Sequence, residues 1–351
     1  MPDQKFITID IGSAWTKAFL VKLDPENKIN IENSLRLPTS WGDFSISVDN
    51  LLSKFSEKDA PKTFVSQFAE VETLAAKEKG GFVKEEEAAS HLAKYFKIGH
   101  QNVSIIDGGA SNFKGVFPAE EIGKFLSFNA ESIFLENFLG KKRFRPYIIP
   151  VDSKELEVEE AFLRNSLKNK LKFADKGKLS TIVLTGGLLS GTPRLSRVAL
   201  IILDILEKDE AACVYLDREF FLPSFGALLA THKQLQTVDW GNWLETLGTF
   251  VSFGGARSLQ FDWGYSELQH VDIADGEVSI IPAPATQKIQ LLFTSDAKEK
   301  KKLGITGGSL GIVLDARVKP LPLTFGQAAS RSLISSWFRQ VEQAEITREA
   351  F

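Results

Sequence analysis

Three short segments carry residue types suited to binding phosphate and a divalent cation. The first reads Asp10-Ile11-Gly12-Ser13-Ala14-Trp15-Thr16-Lys17-Ala18. A hairpin turn of small residues exposes backbone N–H groups, which form an anion-binding concavity. Gly12 lets the backbone approach a phosphate, Ser13 and Thr16 offer hydroxyls, and Lys17 offers a point charge for a β- or γ-phosphate. Asp10, at the end of a strand-like run, suits hydrated Mg2+, which is held by one or two carboxylates with waters and phosphates. The second segment, Asp107-Gly108-Gly109-Ala110-Ser111-Asn112, repeats this logic. Two facing loops of this kind would clamp a triphosphate, with Asp10 and Asp107 sharing the metal. In the third, Thr185-Gly186-Gly187, the glycines allow a flat adenosine ring to lie against the backbone. Each segment taken singly also reads as an ordinary turn; their order, each at a strand end, is what points to a nucleotide.

The elements that must position these loops follow from periodicity. Phe6–Ile11 and Thr16–Leu23 read as a β-hairpin, and 24–60 is mixed, with turn clusters at 24–27 and 41–43 and a short helix over 50–55. Ala88, Leu92, Tyr95 and Phe96 share one face of a helix over 85–96. Val103–Asp107 reads as a strand, 108–111 as a turn, and Phe113–Phe117 as a returning strand, followed by a helix start at Pro118. A long helix over 155–173, a buried strand over 181–184 and a helix over 195–206, capped by Thr192-Pro193, come next. Beyond about residue 240 short strands (278–281, 288–293, 311–314) alternate with turns. A last helix over 330–344 places Leu333, Trp337 and Val341 on one face.

Composition bounds the class. The 351 residues suggest two or three compact units, and 43% apolar with 25% charged residues is ordinary for a globular protein. A net charge of −3 with no polybasic stretch argues against nucleic acid and against an anionic membrane as partners. No apolar run approaches the length of a bilayer span, and the start reads directly into a strand, so a cytoplasmic location is expected. The lone cysteine, Cys213, sits in an apolar stretch and fits a core position in a reducing compartment. Trp240, Trp243, Trp263 and Trp337 read as core, or else as a partner surface, and Asp315 with Arg317 reads as a fixing ion pair or a functional pair.

Asp10 to Ala18 resembles the first phosphate loop of actin and its relatives, Asp107-x-Gly109 their second, and Leu184-Thr185-Gly186-Gly187 their adenosine loop. The resemblance covers roughly residues 5–235. It implies an α/β fold of the actin-like ATPase type: ribonuclease-H-like lobes with a boundary near 100–120, the first lobe shortened, within 1–235. A β-rich domain over 240–325 and a C-terminal helix over 326–351 follow. A narrower resemblance, from about 176 to 345, is to the glutamate mutase L family, which shares an abbreviation with an unrelated mismatch-repair protein. It rests on Val183–Ser190, the helix Arg194–Leu206, Val214–Arg218, Leu222–Leu228, Leu247-Gly248-Thr249, Gly307–Gly311 and Leu314–Arg317, ahead of a final helix bearing Arg and Trp.

That resemblance implies an accessory or chaperone-like protein that binds ATP or ADP with Mg2+ and acts on a protein partner, a cobalamin-dependent mutase being the one associated with the family. The interval between the two phosphate loops is shorter than in the family, and the second loop ends Ser111-Asn112-Phe113-Lys114 where the family carries threonines and an aspartate. Val318-Lys319 stands where the family has glycine and arginine. The expectation is therefore binding with, at most, slow hydrolysis. The alternatives are a degenerate actin-like scaffold or filament protein without ATPase activity and, ranked last, a sugar or acetate kinase.

Overall fold

The computed structural model describes residues 4–99, 103–109, 112–113, 118–168, 179–239, 243–265, 267–294 and 300–349. In chain order the first elements are β1 (Gln4–Ile11), β2 (Trp15–Leu23), β3 (Ile29–Pro38), α1 (Phe44–Leu52), β4 (Lys62–Ser66), α2 (Glu70–Lys77), β5 (Gly81–Lys84) and α3 (Glu85–Gly99). Then come β6 (Val103–Asp107), α4 (Ala119–Gly123), α5 (Ser132–Phe144), α6 (Ser153–Leu167), β7 (Leu179–Thr185), α7 (Gly187–Ser190), α8 (Leu195–Ile205), β8 (Glu210–Asp217) and α9 (Leu222–Thr231). The last are β9 (Leu244–Ser252), β10 (Arg257–Asp262), β11 (Gln269–Ile273), β12 (Val278–Ile281), β13 (Lys288–Thr294), β14 (Lys300–Thr306), β15 (Gly311–Asp315) and α10 (Ala328–Glu349). The chain divides into two compact units: 1–101 with 144–148 and 217–244, and 102–143 with 149–216 and 245–351.

Unit 1 is built on a five-stranded sheet in the order β3-β2-β1-β4-β5. β1, β2 and β3 form an antiparallel meander, and β4 and β5 run parallel to β1. This is the strand order of a ribonuclease-H-type lobe. Both faces of β1 are covered. Ile7, Ile9 and Ile11 pack with Val48 and Leu51 of α1 and Val71 and Ala75 of α2. Thr8 and Asp10 point the other way, where Val65 and Val83 meet Ala88 of α3 and Ala227 of α9. The mixed stretch after residue 24 is strand β3 and helix α1. That helix starts at Phe44, before the expected 50–55, because the Asp43 carboxylate accepts the Ser45 N–H and caps it.

Unit 2 holds a six-stranded sheet in the order β12-β15-β9-β8-β7-β6, with β6, β7 and β8 parallel. One face of β9 and β15 packs on a four-stranded antiparallel sheet, β11-β10-β13-β14, through Phe253, Phe261, Leu291 and Leu314. The other face packs on α6, α8 and α10.

Five local expectations shift. Phe113 lies in a 3-10 turn rather than a strand: its ring is buried and stacked 4.2 Å from Phe162, which draws the chain towards the helices. Residues 114–117 lie outside the described set. Pro118 is the N-cap of α4, one position earlier than a helical proline. α8 starts after Arg194, not at Thr192-Pro193, and α6 is capped by Asp152; the expected end at 173 falls outside the described residues. In α10, Ile334 rather than Leu333 joins Trp337, Phe338 and Val341 in the core. Trp337 is buried and Trp243 packs edge-on against Phe221 and Phe225, as core residues do; Trp240 is outside the described set. Among the described residues no helix is long and apolar enough to cross a membrane.

Candidate functional site

The first loop sits at the carboxyl end of β1. Gly12 N–H donates to Trp15 O (3.1 Å), closing the hairpin. Thr39, just beyond β3, braces it: its hydroxyl donates to Gly12 O at 2.8 Å and its N–H to Ala14 O at 3.0 Å. The Thr16 hydroxyl lies 3.1 Å from that of Thr39 and is fully buried; Ser13 is nearly so. Asp10 and Lys17 face each other in register, and the ammonium donates to Asp10 Oδ2 at 2.7 Å. The pair is largely buried, at 8% exposure for the Asp10 side chain and 17% for Lys17. A charge-assisted bond in that setting is among the stronger polar contacts available to a protein.

The other two loops sit at the carboxyl ends of the adjacent parallel strands β6 and β7, where α/β sheets commonly bind ligands. Gly108 N–H donates to Thr185 O at 2.8 Å, and Leu188 N–H donates to Gly108 O at 3.1 Å. Asp107 is exposed, and its Oδ1 accepts Gly109 N–H at 2.7 Å. Asn112 donates through Nδ2 to Asp107 O (3.0 Å) and Gly109 O (2.8 Å), tying the turn to itself. Gly186 has φ +93°, and a Cβ there would meet Asp107 Oδ1 at 2.2 Å. Gly187, by contrast, has nothing within 4 Å of where its Cβ would stand. Gly186 is thus the joint between two loops, and the open backbone is at Gly187.

Within unit 1, Asp10, Gly12, Ser13, Thr16 and Lys17 come together; within unit 2, Asp107, Gly108, Gly109, Thr185, Gly186 and Gly187 do. Ala110 and Ser111 lie outside the described residues. Sequence reasoning missed Arg36, Trp15 and Phe220 beside Lys17. Phe220 has φ +59°, unusual for a bulky residue, and the cations of Lys17 and Arg36 lie 5.6 and 5.4 Å from its ring centre. The available signal was the second hairpin, which sets Lys17 opposite Arg36. Asp217 supports this corner, its carboxylate accepting the N–H groups of Phe221 and Leu222 at 2.9 Å at the start of α9.

The other motif residues have structural work. Leu310 N–H donates to Leu247 O at 2.8 Å, and Gly248 pairs with Gly311 so closely that a Cβ on Gly248 would meet Gly311 O at 1.8 Å. Arg317 is an ion-pair residue: it donates to Asp315 through Nε (2.7 Å) and Nη2 (3.0 Å), lies 2.8 Å from Asp204 through Nη1, and sits over the Trp337 ring. Burial alone would lower the Arg317 pKa, but Asp315 and Asp204 more than offset it and hold the guanidinium charged. Burial likewise pushes the Asp315 carboxyl up, and Arg317 and Lys319 bring it below its ordinary value.

No family model and no curated protein matches the chain. Solved structures do. Component A of (R)-2-hydroxyglutaryl-CoA dehydratase from Acidaminococcus fermentans is 11% identical over 66% of this chain and 99% of its own, with a TM-score of 0.38. The Ppx/GppA enzyme of Aquifex aeolicus is 13% identical over 68% and 82%, with a TM-score of 0.30. The ethanolamine utilization protein EutJ from Carboxydothermus hydrogenoformans is 14% identical over 65% and 90%, with a TM-score of 0.35. The α/β fold follows from the strand order of unit 1, β3-β2-β1-β4-β5.

Proposed function

We propose that this chain binds a nucleoside triphosphate with Mg2+ and works as an accessory protein of the glutamate mutase L kind. Its partner would be a protein, a cobalamin-dependent mutase being the first candidate, in a cytoplasmic, reducing setting that suits the buried free thiol of Cys213. One observation carries the reading. The loops after β6 and β7 are locked together by hydrogen bonds, leaving the Asp107 carboxylate exposed and the Gly187 backbone open beside it in sequence to Gly186.

The residues fit a metal that arrives on a phosphate. Among the described residues no group of three or more His, Cys, Asp or Glu side chains converges, so a cage made wholly of protein is not what the site offers. One or two carboxylates, with phosphates and waters completing the shell, is the usual arrangement for Mg2+. Asp10 in unit 1 and Asp107 in unit 2 are each the carboxylate of their own loop that would take the ion, and it would neutralise charge on the phosphates when bound. The protein's share is positioning: Lys17 beside Asp10 offers a cation at the hairpin mouth, and Gly187 gives a flat ring access to backbone. Hydrolysis, where it occurs, would be slow, and the change of nucleotide state would serve to act on the partner.

A second reading, a catalytically degenerate actin-like scaffold or filament protein, is favoured by one observation: Lys17 is committed to Asp10 and the Thr16 hydroxyl to Thr39. Thermal unfolding with Mg·ATP and Mg·ADP separates the two. A ligand at 100 times its dissociation constant stabilises by about 2.7 kcal/mol. Stabilisation of that size supports nucleotide binding; none at millimolar nucleotide leaves the scaffold.

A further inference from the structure

Asp10, Lys17 and Arg36 form one row across three strands of unit 1. Asp10 pairs with Lys17 in the β1–β2 register and Lys17 with Arg36 in the β2–β3 register, so all three side chains leave the same face of the sheet. The row carries two cations and one carboxylate. Lys17 takes the carboxylate at 2.7 Å. Arg36 has neither hydrogen bond nor ion pair among the described residues; it has rings instead. Its guanidinium lies 5.6 Å from the Trp15 ring centre and 5.4 Å from that of Phe220.

Two features set this apart from an ordinary surface arginine. Trp15 is two residues from Lys17 on the same strand and so on the same face, at the first position after the loop. Phe220 comes from a distant part of the sequence, in the turn before α9, and its ring centre lies within 5.6 Å of both the Lys17 and Arg36 cations, with its backbone in the left-handed region. A bulky residue keeps that conformation only when its surroundings impose it, and such residues gather where ligands are held. The rings hold the guanidinium without using its N–H groups, which leaves its planar fork free for an oxyanion.

We propose that Arg36 is a polyphosphate-binding residue, held by Trp15 and Phe220 so that its fork takes phosphate oxygens next to Lys17. The ligand class is a chain of two or more phosphates, as in a nucleoside triphosphate or inorganic tripolyphosphate. Two cations in one row favour the higher charge of a polyphosphate over that of a single phosphate. The proposal rests on the nucleotide reading for the source of the phosphates, but not for the site.

Calorimetric titration of the full chain with inorganic tripolyphosphate, ATP, ADP and AMP, each with Mg2+, tests it. The wild type is expected to bind tripolyphosphate and ATP, with AMP weaker. Arg36→Gln is expected to weaken tripolyphosphate and ATP by about tenfold with its unfolding midpoint unchanged, since Arg36 is exposed and supports no ion pair. Phe220→Leu is expected to weaken both in the same direction. Tripolyphosphate bound equally by wild type and Arg36→Gln overturns the proposal, as does its failure to bind at all. ATP binding that is insensitive to Arg36→Gln overturns it while leaving the nucleotide reading intact. Tripolyphosphate binding that depends on Arg36, with ATP bound no better than tripolyphosphate, supports it and removes the adenosine from the nucleotide reading.

Discussion

Gly186 lies against Asp107 so tightly that a methyl group on its α-carbon would stand 2.2 Å from the carboxylate Oδ1. Two loops far apart in sequence are thereby one structure. Gly186→Ala must move the 107–109 turn and also strain a backbone at φ +93°. A loss of about 3 kcal/mol in denaturant-derived stability is expected. Gly187→Ala, with open space at its α-carbon, is expected to stay within about 0.5 kcal/mol of wild type. Equal losses for the two variants would count against the interlock.

The ion pairs around Arg317 give a second test. Arg317 and Asp315 are fully buried. Arg317→Met leaves the Asp315 and Asp204 carboxylates short of their partner, and a cost of about 3–5 kcal/mol is expected from urea denaturation. Asp315→Leu combined with Arg317→Met is expected to cost less than the sum of the two single changes, because no charge of the pair is then stranded.

Much of the first loop was legible in the sequence because it is local. Asp10, Gly12 and Lys17 sit on one hairpin, and a hairpin's register follows from its own turn. The strand ends at Asp107 and Thr185 were legible for the same reason. What joins them was not, since the Gly108–Thr185 and Gly186–Asp107 contacts depend on β6 and β7 pairing in parallel, which no local pattern states. Arg36 was hidden because β3 alternates weakly: Glu32, Asn33 and Ser34 are all exposed, so the strand carries little hydrophobic signal. In α10, Leu333 and Ile334 are both plausible core residues a helical step apart, and packing against the sheet chose Ile334.

Lys142 supplies a pH signature. It is buried in α5 and paired with Glu159 of α6, with the Phe113 and Phe138 rings beside it. Burial pulls its pKa down from 10.5 to about 8, the Glu155 charge opposing the shift. Because the folded pKa is the lower, the unfolded chain binds more protons between those two values, and stability rises with pH across that window. The expected gain from pH 8 to 10.5 is up to about 2 kcal/mol after allowance for solvent screening. Lys142→Met, followed by denaturant titration at several pH values, should flatten this part of the profile. An unchanged slope would show that another group titrates there.

Lys17 is both the cation of the first loop and the partner of a buried carboxylate. Lys17→Met leaves Asp10 largely buried and without its ammonium, so a loss of about 2 kcal/mol is expected in the absence of any ligand. Added Mg2+ alone is expected to recover part of that loss by occupying the freed carboxylate, read as a shift in unfolding midpoint. No recovery would show that Asp10 does not face the cation.

Asp107→Asn is the variant that bears most directly on nucleotide binding. The carboxylate is exposed, and an asparagine Oδ1 still accepts the Gly109 N–H, so the loop survives while the charge is removed. Calorimetric titration of wild type and Asp107→Asn with ATP, with and without Mg2+, is the measurement to make. Saturable binding by the wild type that tightens with Mg2+, and loses that Mg2+ dependence in Asp107→Asn, is the expected result. No binding by the wild type at millimolar Mg·ATP would contradict the nucleotide reading and leave the chain a scaffold.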